Sequence, residues 1–193
     1  MASLWKGVIM ALLDSIIGFC EAVNSAKELV RETVGMNFDE EVLNVRYIPK
    51  FVPIMVKLGK LAEHSGFTID NNIVLEWDTH GKPATVSYRK FATNLGGLLQ
   101  QSMVYVPYAE TSGKILHVPR TIAAKNIKLT LDDRKKNPED YALLANNCHM
   151  FTAQCITGKK SKTFISSTIL SMMLRDVFEQ SFVWKAVDIR TLH

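Results

Sequence analysis

The apolar positions along this chain change period several times, and each change predicts an element. Near the start, Leu4, Val8, Leu12, Ser15 and Phe19 recur at helical spacing, with Trp5, Ile9, Leu13, Ile16 and Val23 beside them. That spacing predicts a long amphipathic helix within residues 1–36, running to about residue 34 and stopped by Gly35. Its polar face carries Glu21, Lys27, Glu28, Arg31 and Glu32, a mixed set. A mixed face favours packing on the core or on a second copy of the chain over docking in a membrane interface, which a basic face would suit. Residues 37–41 read as a polar linker. Residues 42–58 are rich in β-branched side chains but contain Pro49 and Pro53, which predicts a short or edge strand.

The period then drops to two. Residues 64–77 read as strand, turn, strand, with Asp70, Asn71 and Asn72 as the turn and Ile73, Val74 and Leu75 opening the second strand. Residues 85–88 predict another strand. Residues 91–101 read either as a helix weakened by Gly96 and Gly97 or as a loop that lets backbone approach a ligand. Residues 103–108 alternate, and Ser112-Gly113 turns them into a second hairpin partner at 114–118. Residues 120–131 are ambiguous, 132–138 read as a charged surface loop, and Pro138 suits the first turn of a helix reaching residue 144. Helical spacing returns at Ile165, Ile169, Met172, Met173 and Val177, and 183–192 can return as a strand. The sum is an α+β fold: a small antiparallel sheet with a helix packed on it, flanked by terminal helices. The expected divisions are 1–36, a core at 37–160 and a C-terminal helical extension at 161–193.

One segment carries reactive chemistry. An apolar run ends in Asn146-Asn147, and Cys148 follows. Asparagine is a good helix N-cap, so either residue can open a helix with Cys148 in its first turn. Unpaired amide N–H groups and the positive dipole end favour thiolate over thiol there. Burial as a packing residue is the competing reading of any lone cysteine. Cys20 reads as packing in its helix, and Cys155 lies two helical turns beyond Cys148, out of disulfide reach. The set Cys148, His149 and Cys155 has the wrong spacing for a zinc site, so neither metal nor cofactor is expected.

A thiolate mechanism needs an imidazole. His149 adjoins the cysteine and would point elsewhere on a helix, and His193 is the last residue. His80 reads as a turn residue and His117 as a strand-face residue. His64 has the best setting, and the hairpin register selects its partner. A three-residue loop centred on Asp70 sets His64 directly opposite Glu76 on one face of the sheet. A loop at 70–72 sets Asp78 opposite instead. A two-residue Asn71-Asn72 turn would spoil both pairs.

The order of these residues resembles the lecithin–retinol acyltransferase-like group, which includes the H-Ras-like suppressor phospholipase/acyltransferases. The typical box of that group runs Asn-Cys-Glu-His-Phe. This chain has Asn147-Cys148-His149-Met150-Phe151, so Asn, Cys and Phe match and the middle two do not. The family's first histidine matches His64, and the position of its third residue, commonly histidine, falls at Glu76. The resemblance spans roughly residues 45–160 and implies a circularly permuted papain-like fold. It implies a thiol-dependent acyltransferase or phospholipase-type hydrolase in which Cys148 carries an acyl thioester, His64 acts as base and then acid, and Glu76 orients the ring. A cysteine peptidase or amidase on the same fold is the alternative. Another is a non-catalytic interaction module, as among the picornavirus H-box/NC proteins of the same superfamily.

Composition narrows the partners. With 193 residues, 47% of them hydrophobic, the chain is long enough for one well-filled core. A net charge of +4 is mild, and Arg134-Lys135-Lys136 and Lys159-Lys160 with Lys162 are short clusters, so specific nucleic-acid binding is not expected. Asp14 breaks the N-terminal apolar run below the length of a membrane span, and a basic start with a cleavage site is missing. Three cysteines without an even framework fit a reducing, cytoplasmic setting. The expected partners are an acyl donor such as a phospholipid, a membrane surface met peripherally, and a second copy met through the terminal helices.

Overall fold

Ile54, Met55 and Val56 are consecutive and all buried, which requires a strand covered on both faces. The computed structural model describes residues 38–58, 62–78, 80–93, 102–137, 147–160 and 165–192, all within the unit Asn37–His193. In chain order the elements are β1 (Phe38–Val42), β2 (Pro53–Leu58), β3 (Ala62–Asp70), β4 (Ile73–Trp77), β5 (Pro83–Ser87), α1 (Tyr88–Thr93), β6 (Met103–Ala109), β7 (Lys114–Ile115), α2 (Arg120–Lys136), α3 (Cys148–Thr157), α4 (Ser167–Phe178) and β8 (Val183–Asp188). The expected N-terminal helix, the segment around Gly96 and Gly97, the helix after Pro138, Cys20, Asn146 and His193 lie outside the described residues.

The fold is α+β, as expected, but the sheet is neither small nor wholly antiparallel. Eight strands form one sheet in the order β1-β8-β6-β2-β3-β4-β5, with β7 paired to β6. The β1–β8 pair is parallel and the others are antiparallel. Three expectations are thereby corrected. Residues 38–41 belong to strand β1 rather than to a linker. Its acidic residues are there because Lys185 of the neighbouring strand is buried and pairs with Asp39 at 2.9 Å and with Glu41. Strand β2 is interior rather than an edge, and its proline is tolerated because Pro53 is the first residue of the strand. The C-terminal stretch is more than a helical extension, since β8 enters the sheet between β1 and β6.

A fourth correction concerns α2, which runs through the expected charged loop to Lys136. Its buried face is Ala123, Asn126, Thr130 and Arg134, a helical stripe that is mostly polar. These side chains bond to α3: Asn126 Nδ2 donates to the Ile156 carbonyl at 2.6 Å, and Arg134 Nη2 to Gln154 Oε1 at 3.1 Å. Gly158 ends α3 at φ +71°, and a Cβ there would lie 2.5 Å from Asn126 Oδ1. The glycine therefore serves both the left-handed cap and the close approach of Asn126.

Register divides the core into two faces. Ile54, Val56, Val74, Val86, Val104, Val106 and Val187 line one, joined by Phe91 and Ala92 of α1. Met55, Phe67, Leu75, Trp77, Tyr105 and Trp184 line the other. Helix α3 packs across β3 and β4, and both α2 and α4 pack on α3. The Trp184 indole N–H donates to Ser171 Oγ of α4 at 2.9 Å. No helix among the described residues is long and apolar enough to cross a membrane.

Gly66 lies on the valine-lined face, paired across the ladder with Glu76. A Cβ there would stand 2.6 Å from Val74 Cγ1, 2.8 Å from Phe91 Cε2 and 3.1 Å from the Leu75 carbonyl oxygen. Gly66→Ala should therefore destabilise the chain by about 1–3 kcal/mol, the ordinary cost of overpacking, read from urea unfolding. An unchanged midpoint would show that the Phe91 ring can move aside freely.

Candidate active site

Asn147 opens α3 as expected. Its backbone is extended and its side-chain oxygen accepts the Met150 N–H at 2.9 Å, while its Nδ2 donates to the Ile165 carbonyl at 3.3 Å. Cys148 is thus the first helical residue, at the positive end of the α3 dipole. The Phe151 ring, three residues on, lies 5.3 Å from the Trp77 ring at a tilt of 33°, and the Arg134 guanidinium lies 4.7 Å from that same ring. The helix mouth is therefore packed against the end of β4, the strand that carries Glu76.

The hairpin reaches its register by a route the sequence did not disclose. The turn is the two-residue one, with Asp70 opposite Ile73 across Asn71 and Asn72, and Asn72 takes a left-handed φ of 55°. Taken alone, that turn would put His64 and Glu76 on opposite faces. The register shifts between Thr68 and Asp70, where Ile69 is one extra residue on β3. This bulge moves Thr68 opposite Val74 and Gly66 opposite Glu76. His64 and Glu76 are then diagonal neighbours on one face, a separation that long side chains can close. His64 Nε2 and Glu76 Oε2 are 2.7 Å apart. Direct opposition of the two is corrected to this diagonal.

Asp78, the other candidate, is committed elsewhere. Its Oδ1 accepts the N–H groups of His80 and Lys82, each at 2.9 Å, which closes the turn after β4. His80 and His117 are exposed. The His117 ring Nδ1 lies 3.4 Å from the Val118 carbonyl.

Cys148, His64 and Glu76 come together in the interior, with exposures of 4%, 8% and 0%. The Phe91 ring backs His64 at a centroid distance of 4.9 Å. Nε2 of His64 faces Glu76, which leaves Nδ1 for the Cys148 sulfur, its hydrogen-bond and charge partner. Burial alone would raise the Cys148 thiol. The charge and hydrogen bond of His64, aided by the N–H and hydroxyl of Ser65, outweigh it and hold the thiol below its ordinary value of 9.0. Burial likewise opposes a charged imidazole, but the sulfur and then the Glu76 carboxylate push His64 up to about 10. Both directions favour a thiolate facing an imidazolium over a neutral pair. Cys155 is the contrast: burial pushes its thiol to about 12, so it stays protonated and inert.

Ser65 and His149 are the residues that sequence reasoning missed. Ser65 follows His64 on β3, and its Oγ lies 2.9 Å from His149 Nδ1 and 3.0 Å from Thr152 Oγ1. His149 does not point away from the site as helical spacing suggested. Cys148, His149 and Thr152 surround the same serine. No residue pattern signals this, since a serine in an alternating strand reads only as a polar position.

Among the described residues, no group of three or more His, Cys, Asp or Glu side chains is placed to hold a metal ion. Comparison with family models, with curated proteins and with solved structures finds no match.

The ion pair has a pH signature. A thiol lowered on folding contributes stability that is complete above pH 9.0 and is lost as pH falls through its folded value. An imidazole raised on folding contributes stability that is complete below pH 6.5 and is lost as pH rises through about 10. The slopes oppose each other, so the pair is strongest near neutrality. The stability difference between the native chain and Cys148→Ala, measured by urea unfolding across pH, should narrow toward both acid and alkaline ends. A pH-independent difference would refute the ion pair. Thiolate absorbance in the ultraviolet, taken against Cys148→Ser, should persist well below pH 9.0, and His64→Asn should move its midpoint upward.

Proposed function

We propose that this chain is a thiol-dependent acyltransferase or phospholipase-type hydrolase, acting through an acyl thioester on Cys148 and built on a circularly permuted papain-like core. One observation carries the reading: a buried cysteine at a helix mouth, a histidine and a glutamate converge, in the chain order strand histidine, strand glutamate, helix cysteine, and the cysteine and histidine are each shifted toward the charged form. A structural cysteine is ordinarily buried as a neutral thiol, as Cys155 is. Two buried charges are a costly way to fill a core and have a ready use as a nucleophile and its acid.

The charge state sets the order of proton transfers. Because His64 already holds the proton, the first step needs no base. The Cys148 thiolate adds to the ester carbonyl carbon, and the oxygen takes up negative charge. The tetrahedral species collapses as the C–O bond to the leaving alcohol breaks, and His64 Nδ1–H gives its proton to that oxygen. The neutral ring then accepts a proton from water or an acceptor hydroxyl or amine as it attacks the thioester. The C–S bond breaks and the thiolate–imidazolium pair is restored. Glu76 Oε2 accepts the Nε2–H, which fixes the ring with Nδ1 toward sulfur. Such acid–base assistance is worth about 10²–10⁴ in rate. A phospholipid is the proposed donor class, met at a membrane surface by a cytoplasmic protein whose reducing surroundings keep Cys148 free.

The test is to incubate the full chain with mixed phospholipid vesicles, and in parallel with an activated thioester acyl donor, and to map any adduct by mass spectrometry. One acyl group should appear on Cys148 and none on Cys155. Cys148→Ala should carry no adduct, and His64→Asn should form it about 10²–10⁴ more slowly. A folded native chain that acquires no acyl group on Cys148 from either donor would overturn the proposal.

A further inference from the structure

We infer that Ser65 and His149 form a second hydrogen-bonded arm on the Cys148 sulfur, in which His149 Nδ1–H holds the Ser65 oxygen and the Ser65 hydroxyl donates to the sulfur. His149 is then a positioning residue that acts through Ser65, opposite in face to the arm of His64 and Glu76. The inference rests on the reading of Cys148 as a resting thiolate.

Protons and lone pairs at Ser65 set the direction of each bond. A serine hydroxyl has one proton and two acceptor sites. Three groups meet Ser65 Oγ: His149 Nδ1 at 2.9 Å, Thr152 Oγ1 at 3.0 Å and the Cys148 sulfur. A thiolate can only accept, so the serine proton goes to sulfur. Thr152 and His149 must then both donate, which fills the two acceptor sites of the oxygen. This selects the imidazole tautomer of His149 that carries its proton on Nδ1. The reverse assignment, with Ser65 donating to His149, would leave a buried anion short of a donor in a site that is closed to solvent at Ser65.

Strand geometry explains why two arms can meet one atom. His64 and Ser65 are consecutive, so their side chains leave β3 on opposite faces. The ladder between β3 and β4 ends at the pair Gly66 and Glu76. A sulfur that meets both side chains, and the Ser65 N–H as well, sits at the edge of the strand beyond that last pair. Glu76 reaches this point through His64. The other buried acid nearby on β3, Glu63, accepts from Ser167 Oγ of α4 at 3.1 Å.

The experiment is thiolate absorbance against pH in the full chain, referenced to Cys148→Ser, with three variants. Ser65→Ala removes the arm and should leave about tenfold less thiolate relative to thiol at a given pH within the transition, one unit of midpoint. His149→Leu should move the midpoint the same way. His149→Asn keeps an N–H donor close to the Nδ1 position and should restore the native midpoint, a rescue that mere core filling would not produce. Nitrogen-15 NMR of the histidine-labelled native chain, which needs no variant to fold, should find the His149 Nδ1 protonated. The inference is overturned if Ser65→Ala titrates as the native chain does, if the Asn variant shifts as far as the Leu variant, or if the native Nδ1 carries no proton. None of these readouts uses a substrate, so a failure to trap a thioester would sink the catalytic reading and leave this arm standing, and the converse holds equally.

Discussion

A one-residue irregularity governs the chemistry of this chain. Side chains alternate along a strand, so a slip of one position would send every residue of β4 to the other face. The Asn71-Asn72 turn imposes just such a slip, and Ile69 reverses it by bulging out of β3. Remove that compensation and Glu76 would leave the face of His64, while Val74 would leave the core. The valine packing and the His64–Glu76 bond are thus held by the same register. The apolar face supplies the larger burial energy, and the polar pair shares in the alignment that burial enforces.

Around that alignment the site resolves a conflict between burial and charge. Cys148 and His64 are nearly inaccessible, and burial alone would push each toward its neutral form. Together they sustain one another: the carboxylate holds the ring, the ring holds the sulfur, and the helix mouth and Ser65 add donors. Neighbouring groups differ in environment rather than in depth. Cys155 is as deeply buried as Cys148, yet it remains a neutral thiol because no imidazolium faces it. Burial therefore does not separate a thiol shifted toward thiolate from one held neutral. The partner does.

What could be read from the chain alone follows from the range of each interaction. Capping is local, so Asn147 and the start of α3 were legible, as were strands β3, β4 and β6 from their alternation. His64 and Glu76 were legible as a pair because a hairpin ties them together over a short loop. The bulge was not, since nothing in Thr68-Ile69-Asp70 distinguishes an extra residue from a paired one. Helix α2 escaped because its buried stripe is mostly polar, with Asn126 and Arg134 bonded to α3 instead of packed by hydrophobicity. Strand β1 escaped for a related reason: its acids are drawn in by Lys185, far along the chain. His149 was set aside because adjacency on a helix separates side chains, and only a residue wedged between Cys148 and Thr152 could gather all three.

The position of β8 has a consequence for how the molecule is made. Strand β1 lies next to β8, and β6 lies on its other side. Until the ribosome has delivered Val183–Asp188, β1 has no sheet neighbour and the growing edge of β6 is open. An emerging chain can close the β2–β5 meander early, but it must keep one raw flank until β8 has been synthesised. Long sequence separation between partners slows closure. Such a chain is most exposed to aggregation in the interval before β8 is made, and its nascent form has reason to be shielded by a chaperone at that flank.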